Sequence, residues 1–161
     1  MSAITPFLWF DTQAEDAANF YISVFPNSRI LDIARYGEAG PGSNGSVMTV
    51  DFELDGQRFI ALNGGPQFSF TEAVSFDVKC QTQEDVDGYW ETLSEGGEQG
   101  PCGWLKDRFG LSWQIVPEVL PRLLADPDRE KADRVFSAMM KMGKIEIAEL
   151  ERAAEGAATP S

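Results

Sequence analysis

The sequence predicts an α+β fold of two paired βαβββ modules followed by C-terminal helices. Three observations carry the prediction. A strand-then-helix order occurs twice with similar capping signals, short alternating strands joined by turn residues follow each helix, and the stretch after Pro117 is patterned as helix alone. The expected modules span about 3–66 and 72–117 and form one domain, with a helical extension over 118–153 and a disordered tail over 154–161. The chain has 161 residues, 43% of them apolar, including eleven Phe and four Trp, so it can bury a sizeable core.

The first module opens with a short strand in "ITPFLWF", residues 4–10, where Pro6 suits an edge or a strand start. In "DTQAEDAANFYISVFPNS" the period changes. Thr12 and Glu15 have the spacing of a capping box, Ala17, Phe20, Tyr21 and Val24 mark one helical face, and Pro26 ends the helix. A strand is expected near 29–36, followed by the loop "GEAGPGSNG". That loop is a lid or a connector; as a phosphate cradle it lacks a following Lys-Ser or Lys-Thr and a helix start. In "SVMTVDFELDGQRFIALNGG", Asp55-Gly56 predicts a tight hairpin turn between two alternating strands.

The second module repeats the plan. "AVSFDVKC" alternates Phe76 and Val78 with Asp77 and Lys79; Thr82 and Asp85 form a similar cap, and Val86, Tyr89, Trp90 and Leu93 repeat the apolar face. Gly96-Gly97 ends that helix, and strands are expected near 98–102, 103–108 and 111–116. One module cannot cover both faces of its sheet, so two should pack together or pair across a dimer. In the extension, a helix starting near Pro127 carries the stripe Ala132, Val135, Phe136, Met139 and Met140, continued by Ile145, Ala148 and Leu150.

Charge narrows the function. Thirteen Lys and Arg against twenty-six Asp and Glu give a net charge of −13, which argues against nucleic acid and anionic membranes as partners. No apolar run approaches a membrane span, and "MSAITPFLWF" does not read as a secretory signal, so a cytoplasmic protein with Cys80 and Cys102 reduced is expected. There is no histidine, which removes Cys-His and Ser-His-Asp catalysis. Asp107 and Arg108 read as a solvated hairpin corner or a salt bridge, and Asp11 as a carboxylate at a helix start.

"FYISVFPNSRI", "CGWLKDRFGLSWQIVP" and "MMKMGKIEIAELERA" resemble the PhnB-like proteins of the glyoxalase/bleomycin-resistance (vicinal oxygen chelate) superfamily, over about residues 3–153. The resemblance implies paired βαβββ modules curled around a cavity, a homodimer, and for many members the label 3-demethylubiquinone-9 3-methyltransferase. No glycine-rich turn of a doubly wound nucleotide-binding domain accompanies that label here. In metal-dependent relatives His and Glu ligands come from strands that open and close each module; the resemblance places these positions near Pro6, Ser75, Asn63 and at Gln114. None is a histidine or carboxylate, so a divalent site of the usual kind lacks its ligands. The carbonyl oxygens of Gln114 and Asn63 could still hold a polar substrate or a weakly bound ion; no metal and no cofactor is expected.

Strand alternation puts Gln114 on one face and Trp113 with Ile115 on the other, leaving its amide for a ligand or for a structural hydrogen bond. Trp9, Trp104 and Trp113 are candidates for an aromatic wall or for the core. The expected ligand-binding set is Trp9, Asn63, Ser75, Trp104 and Gln114. Three functions fit: binding of a small, partly apolar molecule without chemistry, an enzyme of unassigned reaction using Asp, Glu or Tyr, or a structural protein with a vestigial pocket. The first is favoured.

Overall fold

A computed structural model describes residues 3–156. The chain divides into two compact units, Met1–Phe70 and Thr71–Ser161.

The first unit holds β1 (Phe7–Phe10), α1 (Ala14–Val24), β2 (Arg29–Arg35), β3 (Val47–Leu54) and β4 (Gln57–Asn63), with sheet order β1-β4-β3-β2. β1 runs parallel to β4; the other pairs are antiparallel. Alternation in these strands sends Leu8, Phe10, Val50, Phe52, Phe59 and Ala61 into the core, where Ala17, Ala18 and Tyr21 of α1 join them. The Tyr21 and Phe59 rings each stack on Phe52, at 6.3 and 5.6 Å. The β3–β4 hairpin turns on Asp55 and Gly56, whose φ values of 47° and 82° are those of the expected Asp-Gly turn.

Helix α1 corrects one expectation. Its N-cap is Gln13, not Thr12, and no side chain at the cap position accepts a hydrogen bond. Instead the Asn63 side-chain oxygen, at the end of β4, accepts from the Ala14 N–H at 2.8 Å. The orphan amide that a capping box would have satisfied locally is satisfied from across the sheet.

The second unit repeats the order as β5 (Ser75–Cys80), α2 (Gln83–Ser94), β6 (Glu98–Gln99), β7 (Trp104–Lys106) and β8 (Ser112–Pro117), with sheet order β5-β8-β7-β6. β5 is parallel to β8 and the rest are antiparallel. Here the cap is local, Thr82 accepting from the Asp85 N–H at 3.1 Å. Val86, Trp90 and Leu93 of α2 are buried, as are Leu105, Trp113 and Ile115 of the sheet. β6 stops two residues into the expected 98–102 strand, because the chain turns at Pro101 and at Cys102, whose φ is 59°.

Three helices complete this unit: α3 (Val119–Leu124), α4 (Arg129–Met139) and α5 (Ile147–Glu155). Leu120, Val135, Ile145, Leu150 and Ala154 form their core, with Val116 of β8 packed against it. The expected stripe is corrected at three places. Phe136 is 50% exposed, about 100° around α4 from the buried Val135; Met140, at the end of α4 beside the half-buried Met139, is 54% exposed; and Ala148 is exposed on α5. Helix α5 also continues past 153, closing at Gly156 with φ 81°; the rest of the expected disordered tail, 157–161, lies outside the described residues. The extension is stitched to its module by main-chain bonds from Cys102 N to Met142 O and Gly103 N to Gly143 O, both 2.8 Å. Gln83 of α2 adds two more, donating to Ile145 O at 3.0 Å and accepting from Ile147 N at 2.7 Å. Only glycine fits at 103: its φ is 83°, and a Cβ would stand 2.9 Å from Ile115 O. Among the described residues no helix is long and apolar enough to cross a membrane.

Candidate functional site

In the first unit the candidate residues are held by the scaffold. Trp9 donates its indole N–H to Gly65 O at 2.9 Å and meets Phe68 edge-on at 5.0 Å. Asn63 accepts from Ala14, donates its amide to Val47 O at 3.1 Å, and takes the Tyr36 hydroxyl on its main-chain oxygen at 2.5 Å. It lines a polar cavity of about 540 Å³ with Asp11, Glu15, Asp16 and Tyr36. Both ends of its carboxamide are thus already engaged.

In the second unit three candidates come together. Gln114 donates to the Ser75 hydroxyl at 2.9 Å, and in register it lies between Asp77 of β5 and Trp104 of β7. Alternation puts Ser75, Asp77, Trp104, Lys106, Ser112 and Gln114 on one face of the sheet, opposite the Leu105, Trp113 and Ile115 face. Two cavities lie on this face, sharing Trp104 and Cys102 as a wall. The larger, about 400 Å³, is lined also by Glu72, Pro101, Lys106 and Ser112. The smaller, about 240 Å³, reaches Gln114, Asp77, Lys79 and the α3–α4 residues Leu120, Leu124 and Met139. The larger falls within the size range of small-molecule sites.

Two residues here were misjudged or missed in the sequence. Asp107 is 2% exposed, not a solvated corner. Its carboxylate accepts from Phe109 N at 2.8 Å, Leu111 N at 3.1 Å and the Trp113 indole at 2.9 Å, and so fixes the β7–β8 turn. The signal was the Asp two residues ahead of an amide and three ahead of a glycine, a side chain that folds its own turn. Arg108 does reach a carboxylate, Glu95 at 3.9 Å on the surface. Ser112 was not singled out: it is 1% exposed and its hydroxyl has no hydrogen-bond partner among the described residues. Leaving such a group unsatisfied costs about 1–3 kcal/mol.

Both cysteines are free. Burial, with Asp85 and Asp77 nearby, pushes the Cys80 thiol up to about 12, so it stays protonated and inert at neutral pH. Cys102 is half-exposed, its sulfur 3.7 Å from that of Met140.

The positions at which the resemblance places the ligands of metal-dependent relatives do not fit a divalent ion. Pro6 offers no side-chain donor atom, Asn63 is engaged with Ala14 and Val47, and Ser75 accepts from Gln114. What is left is a neutral amide oxygen on Gln114, in place of imidazole and carboxylate. Among the described residues no group of three or more His, Cys, Asp or Glu is placed to hold a metal.

Residues 2–116 match the family described as 3-demethylubiquinone-9 3-methyltransferase. The chain belongs to this family. It is likewise a member of the glyoxalase/bleomycin-resistance superfamily, related to PhnB-like proteins. The PhnB protein from Bacillus cereus, which carries the same methyltransferase description, is 38% identical over 72% of this chain and 99% of its own, with a TM-score of 0.65. Two further structures share the fold. Protein PA1353 from Pseudomonas aeruginosa is 16% identical, covering 73% of this chain and 98% of that one at a TM-score of 0.62. The fosfomycin resistance protein FosX from Listeria monocytogenes, solved with Mn(II) and sulfate, is 15% identical, covering 77% and 96% at 0.53. No match is found among curated proteins. The family match stops at residue 116, just before α3, although the resemblance in "MMKMGKIEIAELERA" extends to about 153.

Proposed function

We propose that this chain binds a small, partly apolar molecule on the Gln114 face of its second sheet, in the two cavities that share Trp104 as a wall, without a divalent metal of the usual kind. The observation that carries the reading is Gln114. At the position where metal-dependent relatives carry a carboxylate, it presents an uncharged amide tied to Ser75 and beside Trp104. An aromatic wall with a few fixed polar groups is what small-molecule sites present. Ser75, Trp104 and Gln114 form the set; Trp9 and Asn63 serve the first sheet. The methyltransferase description supplies no reacting group that can be named here. A cytoplasmic homodimer is part of the same proposal, supported by the resemblance.

A fragment library observed by ligand NMR tests the reading. Compounds should bind the native protein and lose about tenfold or more in affinity on Trp104→Ala, while Trp9→Ala leaves them unchanged. Binding indifferent to Trp104→Ala would sink it. So would stoichiometric uptake of Mn(II) or Zn(II) that is lost on Gln114→Ala.

A further inference from the structure

Ser112 stands two residues before Gln114 on the same face of β8 and is paired in register with Lys106 of β7. Its hydroxyl is buried and lacks a partner among the described residues, and the residue is one of those that line the larger cavity. A hydroxyl both donates and accepts, and native proteins seldom leave one buried without a bond. Three charges share that wall. Lys106 is ion-paired with Glu72 and faces Glu98 across the β6–β7 ladder.

The sign of these charges selects among ligands. Lys106 already has its counter-ion, and Glu98 leaves the rim with one negative charge in excess, on a chain of net charge −13. An incoming anion would have to separate Lys106 from Glu72 and then face Glu98. A cation adds to the arrangement without breaking a pair, and the long-range field draws it in. Trp104 supplies the aromatic face against which the apolar body of an organic cation packs.

We infer that the larger of the two cavities beside Trp104 takes an apolar organic monocation, its body against Trp104 and Pro101 and its ammonium group donating to the Ser112 hydroxyl and balanced by Glu98. This rests on the proposed binding in that cavity and adds the charge of the ligand and the residue that reads its polar end.

Calorimetry with three probes of one skeleton tests it: 2-naphthylmethylamine, 2-naphthylmethanol and 2-naphthoate. The amine should bind about tenfold or more tighter than the naphthoate at low salt, the alcohol falling between, and added salt should narrow the gap. Ser112→Ala should weaken amine and alcohol about tenfold, and Glu98→Gln, on the exposed rim, should weaken the amine alone. Equal or tighter binding of naphthoate overturns the inference, as does amine binding untouched by both substitutions. If the alcohol binds through Trp104 but the amine gains nothing over it, the assignment of charge falls and the binding reading stands. If none of the three binds, both fall.

Discussion

The two modules share an order of elements but differ in how they use their polar side chains. In the first, the polar residue that closes the sheet is turned inward to the scaffold: Asn63 caps α1 and holds Val47, and Tyr36 holds Asn63. In the second, the cap of α2 is made locally by Thr82, so the closing strand is relieved of that task. Gln114 then bonds Ser75, and the Ser112 hydroxyl has no hydrogen-bond partner among the described residues. A repeat of fold is therefore not a repeat of role. Where a helix supplies its own cap, the neighbouring strand has a polar position to present to a ligand.

Substitutions can break this contrast, and the largest effect is expected at Asp107. Asp107→Ala leaves two amides and an indole N–H of the β7–β8 turn without their acceptor, and should cost at least about 3 kcal/mol in urea unfolding. A loss below 1 kcal/mol, against the roughly 1.5–3 kcal/mol of even one bond to a charged group, would show that the turn holds without it. Next comes Asn63→Ala, at about 2 kcal/mol, because one change removes both a cap and a bond to β3. Thr82→Ala, which removes a single cap bond, should cost about half as much, roughly 1 kcal/mol. Equal losses at 63 and 82 would erase the distinction between the modules. Gln114→Ala should change stability by only about 0.5 kcal/mol, since its bond to Ser75 is partly exposed, while weakening a ligand held in the smaller cavity, which Gln114 lines.

The smallest effect at neutral pH separates the units by cysteine content, both thiols lying in the second. The folded Cys80 ionises near 12, against 9.0 for the ordinary thiol, so its contribution is complete below pH 9 and drains away as pH rises towards 12. Unfolding measured across that range should fall less steeply in Cys80→Ala. At pH 8 a thiol reagent should modify Cys102 in the folded protein and leave Cys80 untouched.

What was legible in the sequence follows from the range of the interactions involved. Asp55-Gly56, Thr82 with Asp85, and the alternation around Gln114 are local patterns, and the structure has each of them. The start of α1 was misread because its cap comes from Asn63, 49 residues away from Ala14, while Thr12 and Glu15 happen to have capping-box spacing. Asp107 was misread because three consecutive charged residues look like solvent-exposed turn, and only the fold shows the carboxylate turned towards the Trp113 indole. Gln114, Ser75 and Trp104 could be nominated one by one. That they meet, and that Ser112 stands beside them with its hydroxyl unpartnered among the described residues, depends on the parallel β5–β8 pairing between strands separated by a whole helix and hairpin. Exposure of Phe136 and Met140 was hidden for the opposite reason, since an apolar letter in a helical stripe looks buried whichever side of the stripe it occupies.

The indole bonds have a spectroscopic consequence. Trp9 donates its ring N–H to Gly65 O in the first unit, and Trp113 donates to Asp107 in the second. Each unit therefore carries a hydrogen-bonded ring proton whose exchange with deuterium waits on the opening of its own hairpin or loop. Two downfield resonances, followed in time after transfer to heavy water, would clock the breathing of the two halves separately in one sample and without any label.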